Sequence, residues 1–234
     1  MSIELGASMD IKLPFDKDGG KIAGVVAIIA ICLGNIGTNM GWLGFLMVVG
    51  CLAFFRDPER VHPSKGRVAI SPADGIVLKI SQCVPPAELD LSGEWKKISI
   101  FMSIFNVHVN RAPVTGTIER MLYVPGRFFN VTLDKASEFN ERRATFMRME
   151  DGTQIAFVQI AGLLARRIRC DVTEGEKLEL GQRIGIIRFG SRVDIYLPND
   201  ATVLVEEGQV TVAGETILAD LKKREVKNEK KQER

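Results

Sequence analysis

The chain has 234 residues, 46% of them hydrophobic, 26% charged and 7% aromatic, with 22 Gly, 9 Pro and 4 Cys. That profile excludes a disordered chain, a collagen and a disulfide scaffold. Thirty-one basic against 29 acidic residues give a formal charge of +2, too balanced for a nucleic-acid binder.

The averages conceal two unusual ends. After a polar leader over residues 1–21, the 34 residues from Ile22 to Phe55 contain no Asp, Glu, Lys or Arg. As one helix they would run roughly 51 Å, against about 30 Å of hydrocarbon. Gly34, Asn35, Gly37, Thr38, Asn39 and Gly41 soften the middle, so the segment is expected to fold as a helical hairpin. Its halves, Ile22–Leu33 and Trp42–Phe55, are each about 20 Å long, short for a full span. A hairpin dipping into one leaflet fits those lengths. Lys21 precedes it and Arg56 and Arg60 follow, which puts both ends on the cytoplasmic side of a cell membrane. The plainer alternative is the core hairpin of a soluble protein. At the other end, residues 221–234 carry seven Lys/Arg and three Glu, a basic tail suited to anionic lipid.

Residues 56–234 are enough for one catalytic domain with its own core. Short apolar runs with Gly or Pro punctuation predict a mainly β, α+β domain. The strands are expected at 67–70, 75–80, 97–101, 114–122, 154–160, 183–188 and 193–197, with loop and some helix over 130–143. One repeat is visible: Val172–Ile184 recurs 33 residues later as Val205–Ile217, each with two glycines at turn positions. Pairs of such units occur in barrel-sandwich folds such as the lipoyl domains.

Cys32, Cys51, Cys83 and Cys170 have no CxxC spacing and read as small buried hydrophobes in a reducing compartment. With only two histidines, His62 and His108, no metal site is expected. His62 sits beside Pro63 and reads as a loop residue. His108 alternates with Val107 and Val109 as a strand would, which by itself suits a structural histidine. Asp74 lies in Ser71-Pro-Ala-Asp-Gly75, ordinary turn chemistry. Gly190-Ser191 between two β runs is usually a turn or bulge, and Val193 denies it the second glycine of a G-x-S-x-G elbow.

Taken together, these stretches resemble the short bacterial and archaeal form of the phosphatidylserine decarboxylase family. The resemblance runs through Phe55-Arg-Asp-Pro58, Ser71–Gly75, Phe105-Asn-Val-His-Val-Asn110, Pro113–Gly116, Asn140-Glu-Arg142 and Gly181–Ser191, and it extends to the N-terminal hairpin. Arg192 departs from the long forms, which carry Thr there. The resemblance implies a pyruvoyl cofactor made from Ser191. Its hydroxyl would attack the carbonyl of Gly190, splitting the chain into residues 1–190 (β) and 191–234 (α), which stay together as a heterodimer. The resulting ketone would form a Schiff base with the serine amine of phosphatidylserine. His108, oriented by Asp74, is implied as the base, and Asn140, Glu141 and Arg142 as headgroup contacts. Two rival readings stand beside it. One is a membrane-bound Ser-His-Asp hydrolase; the other is a lipoyl-type carrier with its lysine at Lys135 in Leu133-Asp-Lys-Ala136.

Overall fold

The computed structural model describes residues 15–64, 66–86, 89, 91–127, 129, 131, 139–162, 167–188 and 190–221. The chain divides into two units, Met1–Glu59 and Arg60–Arg234.

The first unit is a helical hairpin, α1 (Lys17–Ile36) and α2 (Thr38–Phe54). Asp16 caps α1 by accepting from the Asp18 amide at 3.1 Å. The turn is tighter than the polar cluster predicts, because only Gly37 separates the helices. Asn35 stays helical by donating its side-chain amide to the Ile31 carbonyl at 2.9 Å, which removes the reason to break there. Small residues set the packing. An ideal Cβ on Gly44 would lie 2.7 Å from Ala30 Cα, and one on Gly41 3.3 Å from Gly34 Cα, the close approach favoured between helices in lipid. The outward positions are apolar, with Ile28, Ile31, Trp42 and Leu46 all more than 60% exposed. At 20 residues, α1 is about 30 Å long. It is apolar and long enough to cross a membrane by length and composition, longer than the half-hairpin read from the sequence.

The second unit is β-rich, as the sequence pattern requires. Its strands are β1 (Val68–Ile70), β2 (Gly75–Cys83), β3 (Trp95–Met102), β4 (Val109–Arg111), β5 (Gly116–Val124), β6 (Arg142–Arg148), β7 (Gln154–Ala161), β8 (Ile168–Cys170), β9 (Lys177–Leu178), β10 (Arg183–Ile187), β11 (Ser191–Pro198), β12 (Thr202–Val203), β13 (Val210–Thr211) and β14 (Ile217–Asp220). Eight form one sheet in the order β13-β2-β3-β11-β7-β6-β5-β9. The others make two three-stranded sheets, β1-β14-β12 and β4-β10-β8.

That order is a palindrome. Exchanging β13 with β9, β2 with β5, β3 with β6 and β11 with β7 maps the large sheet onto itself, and exchanging β1 with β4, β14 with β10 and β12 with β8 swaps the small sheets. The 33-residue repeat is its sequence trace. Gly175 and Gly208 (φ 83° and 87°) turn the chain alike, as do Gly181 and Gly214 (φ 76° and 81°).

The strands β7 and β11 lie at the centre, paired antiparallel, with Ser191 opposite Ala161. Both faces of β11 are buried. Val193, Ile195 and Leu197 join the main core with Ile98, Ile100, Phe157 and Ile184. Tyr196 on the other face packs in a second cluster with Leu89, Val131, Phe146 and Ile160.

Candidate active site

The serine is the first residue of a central strand rather than part of a turn. Ser191 pairs with Met102 of β3 on one side and Ala161 of β7 on the other, and it is fully buried. Its hydroxyl donates to the Met102 sulfur at 3.3 Å. A thioether is a weak acceptor, so this contact orients Oγ without tying up its lone pairs.

Gly190 carries the backbone into the strand at φ 60°, the left-handed region that glycine enters at little cost. Its carbonyl presses against another glycine. An ideal Cβ on Gly162 would fall 2.0 Å from Gly190 O and 3.0 Å from Gly190 C. No heavier residue fits at 162 while that carbonyl stays in place.

Two buried amides are linked to the same sulfur. The Asn110 side chain donates from Nδ2 to the same Met102 sulfur at 3.7 Å. Its Oδ1 accepts from Gln159 Nε2 at 2.8 Å. Neither was singled out in the sequence as a site residue, although a glutamine inside the apolar run Ile155–Ala161 is itself a signal.

His108 is fully buried and lies just before β4, not within a strand. Its Nδ1 is 2.9 Å from the Asn106 carbonyl, so Nδ1 carries the proton in the neutral ring and Nε2 is the basic nitrogen. A backbone carbonyl thus holds the place that a carboxylate takes in a triad. Asp74 is engaged elsewhere. Both carboxylate oxygens accept from Arg60 Nη2, at 3.2 and 2.9 Å, and Oδ1 accepts from the Ala213 amide at 2.7 Å. In the symmetric half of the domain, Thr115 Oγ1 accepts from the Leu180 amide at 3.1 Å. Asp74 therefore fills a backbone-capping position where a hydroxyl also serves.

The Asn140–Arg142 segment has structural employment. Asn140 is fully buried and grips Phe129 through its amide and carbonyl, both at 2.8 Å, and the Ala161 carbonyl at 2.8 Å. Glu141 accepts from the Ile168 amide at 3.4 Å. Arg142 and Arg192 both pair with Ile160, which puts Arg142 on the face of the sheet away from Ser191. There it lines a small cavity with Asp194, Leu89 and Tyr196.

Arg192 points to that same far face. It forms a buried two-pronged pair with Asp194, at 2.9 and 3.0 Å, and donates to the Val131 carbonyl at 2.9 Å. The residue after the serine is therefore an anchor.

No group of three or more His, Cys, Asp or Glu suits a metal among the described residues. Burial pushes the Cys83 thiol above its ordinary pKa, against any role as a thiolate. Lys135, Phe189, the leader 1–14 and the tail 222–234 lie outside the described residues.

The family model for phosphatidylserine decarboxylase matches residues 50–219. The chain belongs to the phosphatidylserine decarboxylase family. It is 51% identical over 209 residues to a phosphatidylserine decarboxylase proenzyme of Paramagnetospirillum magneticum, covering 89% of this chain and 87% of that one. The proenzyme of Ruegeria pomeroyi is 52% identical over 209 residues, 89% of this chain and 95% of its own. That of Rickettsia bellii is 50% identical over 195 residues, covering 83% and 84%. All three are bacterial, in keeping with the short form.

Proposed function

We propose that the chain is the precursor of a phosphatidylserine decarboxylase that cuts itself between Gly190 and Ser191. Residues 1–190 and 191–234 then work as one pair, and the residue-191 terminus, converted to a pyruvoyl group, converts phosphatidylserine to phosphatidylethanolamine and CO2. Family membership over most of the chain supports the reaction, and the relatives' description as proenzymes supports processing. The observation that carries the cut site is the Gly190–Ser191 peptide, with φ 60° at the glycine and its carbonyl against Gly162.

Chemically, Ser191 Oγ attacks the Gly190 carbonyl carbon, the C–N bond breaks, and an ester replaces the amide. His108 Nε2 takes the hydroxyl proton, with Nδ1–H donated to Asn106. Removal of the Cα proton of residue 191 then drives out Oγ, which leaves with Gly190 as a carboxylate; the dehydroalanine left at residue 191 takes up water and loses its nitrogen as ammonia to become the pyruvoyl group. The pyruvoyl ketone supplies the electron sink that amino-acid decarboxylation needs and that ordinary side chains lack. In the pair, Arg192 ties the 191–234 fragment to Val131 of the other through the 2.9 Å bond.

The helical hairpin suits an enzyme whose substrate stays in a bilayer. Its apolar outward face and the basic residues at its ends favour attachment on the cytoplasmic side. The hydrolase reading has less support, because Asp74 is committed to Arg60 and Ala213. Replacing Ser191 by Ala tests the reading: the variant stays a single 234-residue chain without decarboxylase activity. A Ser191→Ala protein that is cut like the wild type overturns it.

A further inference from the structure

The two buried amides linked to the Met102 sulfur take no part in the chemistry so far. Asn110 and Gln159 are 0% and 1% exposed, beside a core of Ala, Ile, Leu, Val, Met and Phe. Burying two carboxamides there is costly unless their polar atoms are satisfied. Only one good bond joins them, from Gln159 Nε2 to Asn110 Oδ1. That bond fixes which way the Asn110 amide faces: with Oδ1 taken up by Gln159, Nδ2 is aimed at the Met102 sulfur. Among the described residues that thioether is the acceptor recorded for Nδ2, and 3.7 Å to sulfur is a weak bond. The Ser191 hydroxyl sits on the same sulfur at 3.3 Å. A strong donor and the Ser191 oxygen thus share one weak acceptor.

Resting on the reading of Ser191 as the self-processing residue, we propose that Asn110 Nδ2 is a catalytic hydrogen-bond donor to Oγ of residue 191 during self-cleavage, with Gln159 as its positioning residue. The step it serves is the elimination. In the intact precursor, Oγ carries a proton of its own and donates it to sulfur. Once the acyl shift has made Oγ an ester oxygen, that proton is gone and the sulfur contact no longer holds it. A base then removes the Cα proton of residue 191. The freed pair forms the Cα=Cβ bond, the Cβ–Oγ bond breaks, and its electrons stay on Oγ as part of the Gly190 carboxylate. Negative charge therefore grows on Oγ in a dry core, where a fixed N–H donor has its largest effect. Met102, a poor acceptor, competes little for Nδ2, so the donor turns to the oxygen as its charge develops.

The proposal predicts a specific stalled species. Asn110→Leu should still form the ester but eliminate about 100-fold more slowly, the scale of removing one donor from a developing oxyanion. Such a chain runs uncut on a neutral denaturing gel and is cut at 190/191 by hydroxylamine, which cleaves esters and spares amides. Gln159→Glu gives an independent arm, because a carboxylate only accepts. It turns the Asn110 amide round, takes up Nδ2 and presents Oδ1 to residue 191. It should therefore accumulate the same hydroxylamine-sensitive chain with Asn110 intact, and it stands as the test if Asn110→Leu does not fold. Cleavage at the wild-type rate in the folded variants overturns the proposal. So does a folded, uncut chain that resists hydroxylamine, because the block then precedes the ester. Failure of the wild-type chain to be cut at 190/191 would instead overturn the reading of Ser191 itself.

Discussion

The carbonyl oxygen of Gly190 occupies the space that a side chain on Gly162 would need, 2.0 Å from the ideal Cβ position. The contact lies at the end of β7, one residue beyond Ala161, which is Ser191's partner in the sheet. Backbone meets backbone there, so neither side can give way by a rotamer change. The Gly190 carbonyl, at the proposed cut site, is therefore held in place by the absence of a side chain at Gly162.

It follows that Gly162→Ala should displace the scissile carbonyl. Relief of such an overlap costs about 1–3 kcal/mol in a packed core, and it falls on the geometry of attack. Self-cleavage followed on a gel should slow about 5- to 140-fold, at roughly 1.4 kcal/mol per factor of ten, while the precursor stays folded by circular dichroism. Wild-type processing in this variant would show that the Gly190 carbonyl needs no seat at residue 162.

Asp74 and Arg60 should behave as one interaction. The carboxylate is committed to the guanidinium at 2.9 Å and to the Ala213 amide, and the His108 ring is oriented by Asn106. In a double-mutant cycle on self-cleavage rate, Arg60→Gln and Asp74→Asn should have similar effects, with the double variant no worse than either. His108→Gln should slow cleavage far more than Arg60→Gln. If Asp74→Asn matches His108→Gln while Arg60→Gln is silent, the carboxylate acts on the histidine after all.

The buried pair Arg192–Asp194 predicts an asymmetry in stability. Arg192→Leu deprives a fully buried carboxylate of its guanidinium and the Val131 carbonyl of its donor, so thermal unfolding should reveal a loss of about 3–5 kcal/mol. Replacing both residues by leucine should recover much of it, since two apolar groups leave no stranded charge. Measurements belong on the Ser191→Ala background, where the chain stays in one piece. A double variant less stable than Arg192→Leu would mean that the pair contributes beyond charge compensation.

Much of this arrangement was legible in the residues. The uncharged run Ile22–Phe55 announced the hairpin, and the repeat at 172–184 and 205–217 announced the internal symmetry. The Gly190–Ser191 pair stood out only because Asp74 and His108 matched a known family beside it. What the sequence misled on has local causes. Asn35 bonds its own helix at Ile31, so the polar cluster did not break α1 where its composition suggested. Val107-His108-Val109 alternates like a strand, yet the chain enters β4 only at Val109. Gly162 left no trace, because a glycine required by another backbone looks like any other glycine. Gln159 did leave one, as an amide inside an apolar strand.

The central claim is that this polypeptide makes its own prosthetic group by cutting itself at one bond. The most direct measurement is the intact mass of purified wild-type protein under denaturing conditions, with sequencing from the new terminus. The account predicts two fragments, residues 1–190 with an ordinary carboxyl end and residues 191–234 with a terminus that resists stepwise degradation because Ser191 has lost its amine. A single 234-residue chain with a free Ser191 hydroxyl, or a 191–234 fragment that begins with an unmodified serine, would contradict it.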